Sequence, residues 1–255
     1  VKKSGVLIIG HGSSSSSWVQ LVDEAVSQIQ VPVPVVASFL EMVEGRLIED
    51  GIRALEKQGV NQIIAVPLFV ASGSTHIDEI GGLLGVRDSA GLDEEIVPIE
   101  TEAEIIFCPP MDDHPLIVEI LLERARELVK QPEKETLLLV GHGADEGENH
   151  AKWEAVLQRL AVKLRQELGL KAATYGTLHP DNLTRRASAI ARKNRMIVLP
   201  LFLSEGYFTK TVVPSRLQGL SYLYNGKAYL PHPAVTRWLQ TTIEEQLANS
   251  SLQTV

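Results

Sequence analysis

This chain has almost no cysteine, too little positive charge and no long apolar run. A single cysteine, Cys108, occurs in 255 residues. That excludes an intramolecular disulfide and any zinc or iron–sulfur centre held by several thiolates of one chain. Cys108, followed by Pro109-Pro110, reads as a small buried apolar residue. Lys and Arg number 24 against 32 Asp and Glu, a net charge of -8. Such a chain is unsuited to non-specific nucleic-acid binding, which depends on neutralising phosphates. An anionic ligand would have to rely on local positive groups or on helix N-termini. No apolar stretch approaches the length of a membrane span. The run at residues 6–9 is too short for the core of a secretory signal. A cytoplasmic protein with neither nucleic-acid nor membrane partners is expected.

What is present is the composition of a soluble globular enzyme, 44% hydrophobic and 22% charged, in a chain long enough for two domains. Continuous apolar runs alternate with amphipathic stretches, the pattern of βα units around a mostly parallel sheet. In the first half, strands are expected at 6–9, 33–40 and 62–70. Helices are expected at 18–29, 47–58 and 115–130, with one more after Ser72-Gly73-Ser74-Thr75. The polar stretch 131–135 reads as a linker. The second half repeats the order: strand 137–140, helix 153–168, strand 172–175, helix 182–193, strand 196–203 and a last helix over 238–247.

Three landmarks recur in one order. Gly10-His11-Gly12 returns as Gly141-His142-Gly143, each after a short apolar strand. Val66-Pro67-Leu68-Phe69 returns as Leu199-Pro200-Leu201-Phe202. His114-Pro115 returns as His232-Pro233. An internal duplication follows. The expected architecture is α/β, with two similar parallel-sheet lobes at 1–130 and 136–255 and a cleft between them.

In open parallel sheets, ligands bind beyond the carboxyl ends of the strands, where strand order reverses. Three candidate ligands fall there. His11 follows the first strand, Glu41 the second and His76 the third. Two imidazoles and a carboxylate suit a divalent metal with open positions. Each residue also has a plain structural role open to it: a turn for the Gly-His-Gly, a helix start for His76, a solvated charge for Glu41, with Glu44 close by.

Gly10-His11-Gly12-Ser13, Phe39-Leu40-Glu41, and Val66-Pro67-Leu68-Phe69 with Gly73 and His76 together resemble the motif series of the sirohydrochlorin chelatases, the CbiX-type relatives of ferrochelatase. The resemblance covers the first half well and the second half through Gly141-His142-Gly143 and Leu199-Pro200-Leu201-Phe202. It implies two Rossmann-like lobes of the class II chelatase type and ATP-independent insertion of cobalt or ferrous iron, sometimes nickel, into a tetrapyrrole for cobalamin or siroheme. The metal would be a substrate, with no tightly bound cofactor. Carried onto this sequence, the metal-binding and catalytic residues are His11, His76 and Glu41.

Serines 13–17 would offer hydroxyl and N–H donors to substrate carboxylates, Ser13 and Ser14 first. In the second copy the ungapped counterpart of His76 is Thr209, and no carboxylate clearly repeats Glu41. His179 is either a local replacement or a turn residue. One complete site is therefore expected, in the first half, with His142, Tyr207 and Lys210 as candidate substrate contacts and Arg216 as a further cation. His114 and His232 read as helix-start residues, and His150 has no evident role. A monomer suffices, since both lobes lie in one chain. Two other functions remain open: a carrier of metal or tetrapyrrole without turnover, and a histidine phosphotransfer enzyme, which the absence of Arg before either His disfavours.

Overall fold

The computed structural model describes residues 1–88, 92, 95–145 and 147–252. Among them the chain forms two compact units. The first contains strands β1 (Ser4–Gly10), β2 (Val35–Phe39), β3 (Gln62–Pro67) and β4 (Glu104–Phe107), with helices α1 (Ser16–Ser27), α2 (Ile48–Lys57) and α3 (Thr75–Leu83). All strand pairs are parallel and the order is β2-β1-β3-β4. In β1, Val6, Leu7, Ile8 and Ile9 are fully buried. A parallel strand covered on both faces has no polar side, which explains its continuous apolar run.

Helix α2 begins where the Asp50 carboxylate accepts the Leu47 N–H at 2.9 Å, and the turn after it needs Gly59 at φ 79°. Its inward residues Ile48, Ile52 and Leu55 join Leu7, Ile9, Ile63 and Ala65 in one core. Burial of each such side chain contributes about 1.5–3 kcal/mol.

The second unit repeats the plan. It holds helix α4 (Pro115–Arg126), β5 (Glu135–Gly143), α5 (Glu148–Leu168), β6 (Ala172–His179), α6 (Leu183–Ala191), β7 (Arg195–Pro200), a π-helical turn (Phe208–Val212) and α7 (Val213–Arg216). The sheet is parallel in the order β6-β5-β7. Where the first unit has β4, this one has a single parallel bridge. The Leu223 N–H donates to Met196 O and the Val198 N–H to Leu223 O, both at 2.9 Å.

The first unit comprises Val1–Phe69, Thr75–Met111 and Thr236–Val255, and the second Val70–Ser74 and Asp112–Val235. Helix α4 lies in the second unit, where Arg124 O accepts the Asn225 side-chain amide at 3.2 Å. Helix α8 (Pro233–Leu252) runs from Thr236 onward in the first unit, where the Thr236 hydroxyl donates to Ala25 O at 2.8 Å. Amphipathic periodicity identifies such helices but not the sheet each one covers. Residues 253–255, the end of the expected second lobe, lie outside the described residues.

The linker at 131–135 is structured. It forms a 3-10 turn (Pro132–Lys134) and then enters β5 at Glu135. The Glu135 side chain is fully buried. One oxygen accepts the N–H groups of Lys130 and Gln131 at 2.9 and 2.7 Å, and the other lies 3.3 Å from Arg195 Nε. Glu135→Ala would orphan both N–H groups, and a loss of about 2–4 kcal/mol is expected. Glu135→Gln keeps an acceptor and should recover at least half of that in urea denaturation. Equal losses for the two variants would refute this role.

Candidate metal centre

The three ligand candidates lie at the carboxyl edge of the first sheet, where His11 contacts both Glu41 and His76. Strand β1 lies between β2 and β3, so the residues leaving these three strands are neighbours at the position where order reverses. Backbone bonds deliver Glu41 to His11: the Leu40 N–H donates to Gly10 O at 2.9 Å and the Glu41 N–H to His11 O at 3.0 Å. Arg46 steadies the loop that follows. It pairs with both Asp23 carboxylate oxygens at 2.8 Å, lies 5.0 Å over the Phe39 ring, and its carbonyl accepts the Phe39 N–H at 2.8 Å.

The His11 ring is oriented by its own turn. Its Nδ1 lies 2.9 Å from the Gly12 carbonyl. A carbonyl only accepts, so Nδ1 carries a hydrogen, and Nε2 is the nitrogen left to bond outward. That Nε2 faces Glu41 Oε1 at 3.2 Å. A proton on Nε2 or a cation held by both groups satisfies this contact. His76, second residue of α3, brings its ring edge-on to His11 with centroids 4.6 Å apart. A metal–nitrogen bond of about 2.0–2.1 Å and an N–metal–N angle of about 90–110° place two ligating imidazole centroids about 4.5–5.2 Å apart. The His11–His76 spacing lies within that range.

A further carboxylate went unread in the sequence. Glu79, one helical turn beyond His76, has Oε1 3.4 Å from His76 Nδ1 without forming a hydrogen bond to it. The i,i+3 spacing was the available signal. Met42 was also missed. It follows Glu41 with φ 69° and is 60% exposed, so an apolar side chain stands in solvent beside the carboxylate. Among the described residues no group of three His, Cys, Asp or Glu side chains is arranged to hold a metal ion. What the chain presents is an imidazole–carboxylate contact with a second imidazole against it.

Ser13 and Ser14 line a recess of about 630 Å³ with Asp23, Glu24, Met42 and Glu44. It adjoins the histidines without including them. The serine run forms the entry to α1, with the Ser15 N–H donating to Ser13 Oγ at 3.0 Å. Glu41, not Glu44, is the carboxylate that faces His11. Burial pushes the Cys108 thiol up to about 12, which makes it inert as a ligand or nucleophile.

In the second unit the positional equivalence differs from the ungapped reading. Thr209 is buried, with its hydroxyl bonded to Gly206. The ring that meets His142 edge-on, at 5.4 Å, is Phe208, the residue before Thr209 and the first of the π-helical turn. Tyr207 is 69% exposed and stacks its edge on Phe208, and Lys210 is exposed on the same turn. Arg216 pairs with Asp181 at 2.9 Å, so it is not a free cation for a substrate carboxylate. His114 and His232 accept the N–H two residues on, at 3.1 and 3.0 Å, as helix-start residues do. His150 pairs with Glu154 one turn along α5 at 3.2 Å.

The fold has close parallels. SirB from Bacillus subtilis, solved with Fe3+, superposes with a TM-score of 0.76 over 98% of both chains at 21% identity. A CbiX described as the terminal enzyme of siroheme biosynthesis in denitrifying bacteria gives 0.63 over 94% of this chain and 98% of that one, at 22% identity. In sequence, the sirohydrochlorin cobaltochelatase of Methanococcoides burtonii is 30% identical over 131 residues, 98% of its length and 50% of this chain. That of Methanopyrus kandleri is 27% identical over 136 residues, 94% of its length and 48% of this chain. Relatives of half this length agree with a duplicated chain. The CbiX family model matches residues 5–128 and 136–248, and with these two segments spanning nearly the whole sequence, this chain belongs to the CbiX family.

Proposed function

We propose that this protein is a sirohydrochlorin chelatase that inserts cobalt or ferrous iron into sirohydrochlorin or a closely related tetrapyrrole, without ATP, on the route to siroheme or cobalamin. The observation that carries the reading is His11 Nε2 facing Glu41 Oε1 at 3.2 Å with His76 against the same ring. A divalent metal would replace the proton shared by that pair. The arriving metal exchanges water for imidazole and carboxylate ligands. Imidazoles hold a borderline metal less permanently than thiolates would, so it can be passed on to four pyrrole nitrogens. Insertion releases two pyrrole protons for each metal ion taken up. Glu41, and the imidazoles as the metal leaves them, are bases within reach to accept those protons. Ser13 and Ser14, His142, Tyr207 and Lys210 are proposed as contacts for the macrocycle and its carboxylates.

The test is anaerobic incubation with sirohydrochlorin and Co2+ in the absence of ATP, followed through the macrocycle's absorption. Many turnovers per protein are expected. A rate no better than that of the His11→Ala/His76→Ala variant rejects the proposal. Conversion that stops at one equivalent identifies a carrier instead.

A further inference from the structure

We infer that the second unit carries a divalent-metal site of its own, formed by His142 and His179, in which an imidazole stands where the first unit places Glu41. The two units can be compared position by position. Strand β5, like β1, ends in Gly-His-Gly, and His142 Nδ1 lies 3.0 Å from the Gly143 carbonyl, as His11 Nδ1 lies 2.9 Å from that of Gly12. Here too the carbonyl requires Nδ1 to carry a hydrogen, which leaves Nε2 as the nitrogen able to ligate. A Cβ built on Gly12 would lie 1.8 Å from Glu41 O, and one on Gly143 would lie 2.0 Å from His179 O. The same backbone approach therefore fixes Glu41 in one unit and His179 in the other, with Gly143 and His179 in register between β5 and β6. Phe208 occupies the third position, edge-on to His142 at 85° and stacked on Phe202. His76 meets His11 edge-on in the first unit, with Phe69 beside it.

The substitutions leave two nitrogen donors in a new pairing. The His142 and His179 ring centroids are 4.9 Å apart, inside the interval of about 4.5–5.2 Å given by two imidazoles at adjacent positions on one metal. His114, His150 and His232 are each committed to a helix start or an ion pair. The exposed His179 side chain forms no hydrogen bond or ion pair among the described residues. With imidazole in place of carboxylate, the pair suits nitrogen-preferring first-row cations such as Co2+, Ni2+, Cu2+ and Zn2+, and not Mg2+ or Ca2+.

The experiment is a Co2+ titration by equilibrium dialysis and by the visible absorption of bound Co2+, in the presence of excess Mg2+. It uses the wild type, His11→Ala/His76→Ala, His142→Ala/His179→Ala and the fourfold variant, each confirmed folded by circular dichroism. The expected stoichiometries are about two, about one, about one and none. A folded His11→Ala/His76→Ala variant that binds no Co2+ overturns the inference. So does Co2+ binding in that background that survives removal of His142 and His179. Chelatase activity is read separately. A wild type without turnover, whose His11→Ala/His76→Ala variant still binds one Co2+ through His142 and His179, would refute the proposed function and leave this site standing.

Discussion

His11→Ala is expected to slow metal insertion by about 10²–10⁴-fold, the range seen when a group that handles both a ligand and a proton is removed. His11 is the hinge of the site. It faces Glu41 through Nε2 and meets the His76 ring, so its loss removes the point where the two other groups converge. Stability should change little. The ring is one-third exposed and its hydrogen bond is to the adjacent Gly12 carbonyl, so the expected cost is about 1 kcal/mol or less. Steady-state rates with sirohydrochlorin and Co2+, set beside thermal midpoints, check both halves. Turnover within about threefold of wild type would exclude His11 as a ligand.

Gly12→Ala should act just as strongly by another route. Gly12 has φ 105°, and a Cβ there would lie 1.8 Å from the Glu41 carbonyl oxygen. Such a clash is with backbone and cannot be relieved by rotating a side chain. Either the end of β1 or the Glu41 loop must move, and both hold the imidazole–carboxylate contact. A loss of about 2–4 kcal/mol and of nearly all activity is expected. Gly45→Ala is the control. Gly45 has φ 77° but open space around its Cβ position, so its cost is the left-handed backbone alone, about 1–2 kcal/mol, with activity retained. If Gly12→Ala matches Gly45→Ala in both measurements, the close approach has no functional weight.

Much of this was legible in the sequence. Strands β1, β3, β5 and β7 are buried on both faces and so read as unbroken apolar runs. The strand-end positions of His11, Glu41 and His76 were legible because each follows a strand and parallel topology brings strand ends together. Strand β4 was not. It is four residues long, with Glu104 exposed at its start, too short to show a period. The π-helical turn at 208–212 was equally hidden, since a one-residue change of phase leaves composition untouched. Nor does an ungapped comparison show that Phe208, not Thr209, faces His142.

By itself, the sequence determined the α/β class, the duplication and the strand-end origin of the three ligand candidates, because burial on both faces and a repeated Gly-His-Gly leave a one-dimensional trace. The tertiary structure alone decided which unit α4 and α8 complete, that Glu41 and not Glu44 faces His11, and that His179 holds the position of Glu41. These outcomes depend on which backbone oxygen a glycine lets approach and which sheet a helix covers. Both are contacts between residues far apart in the chain, and no local pattern encodes them.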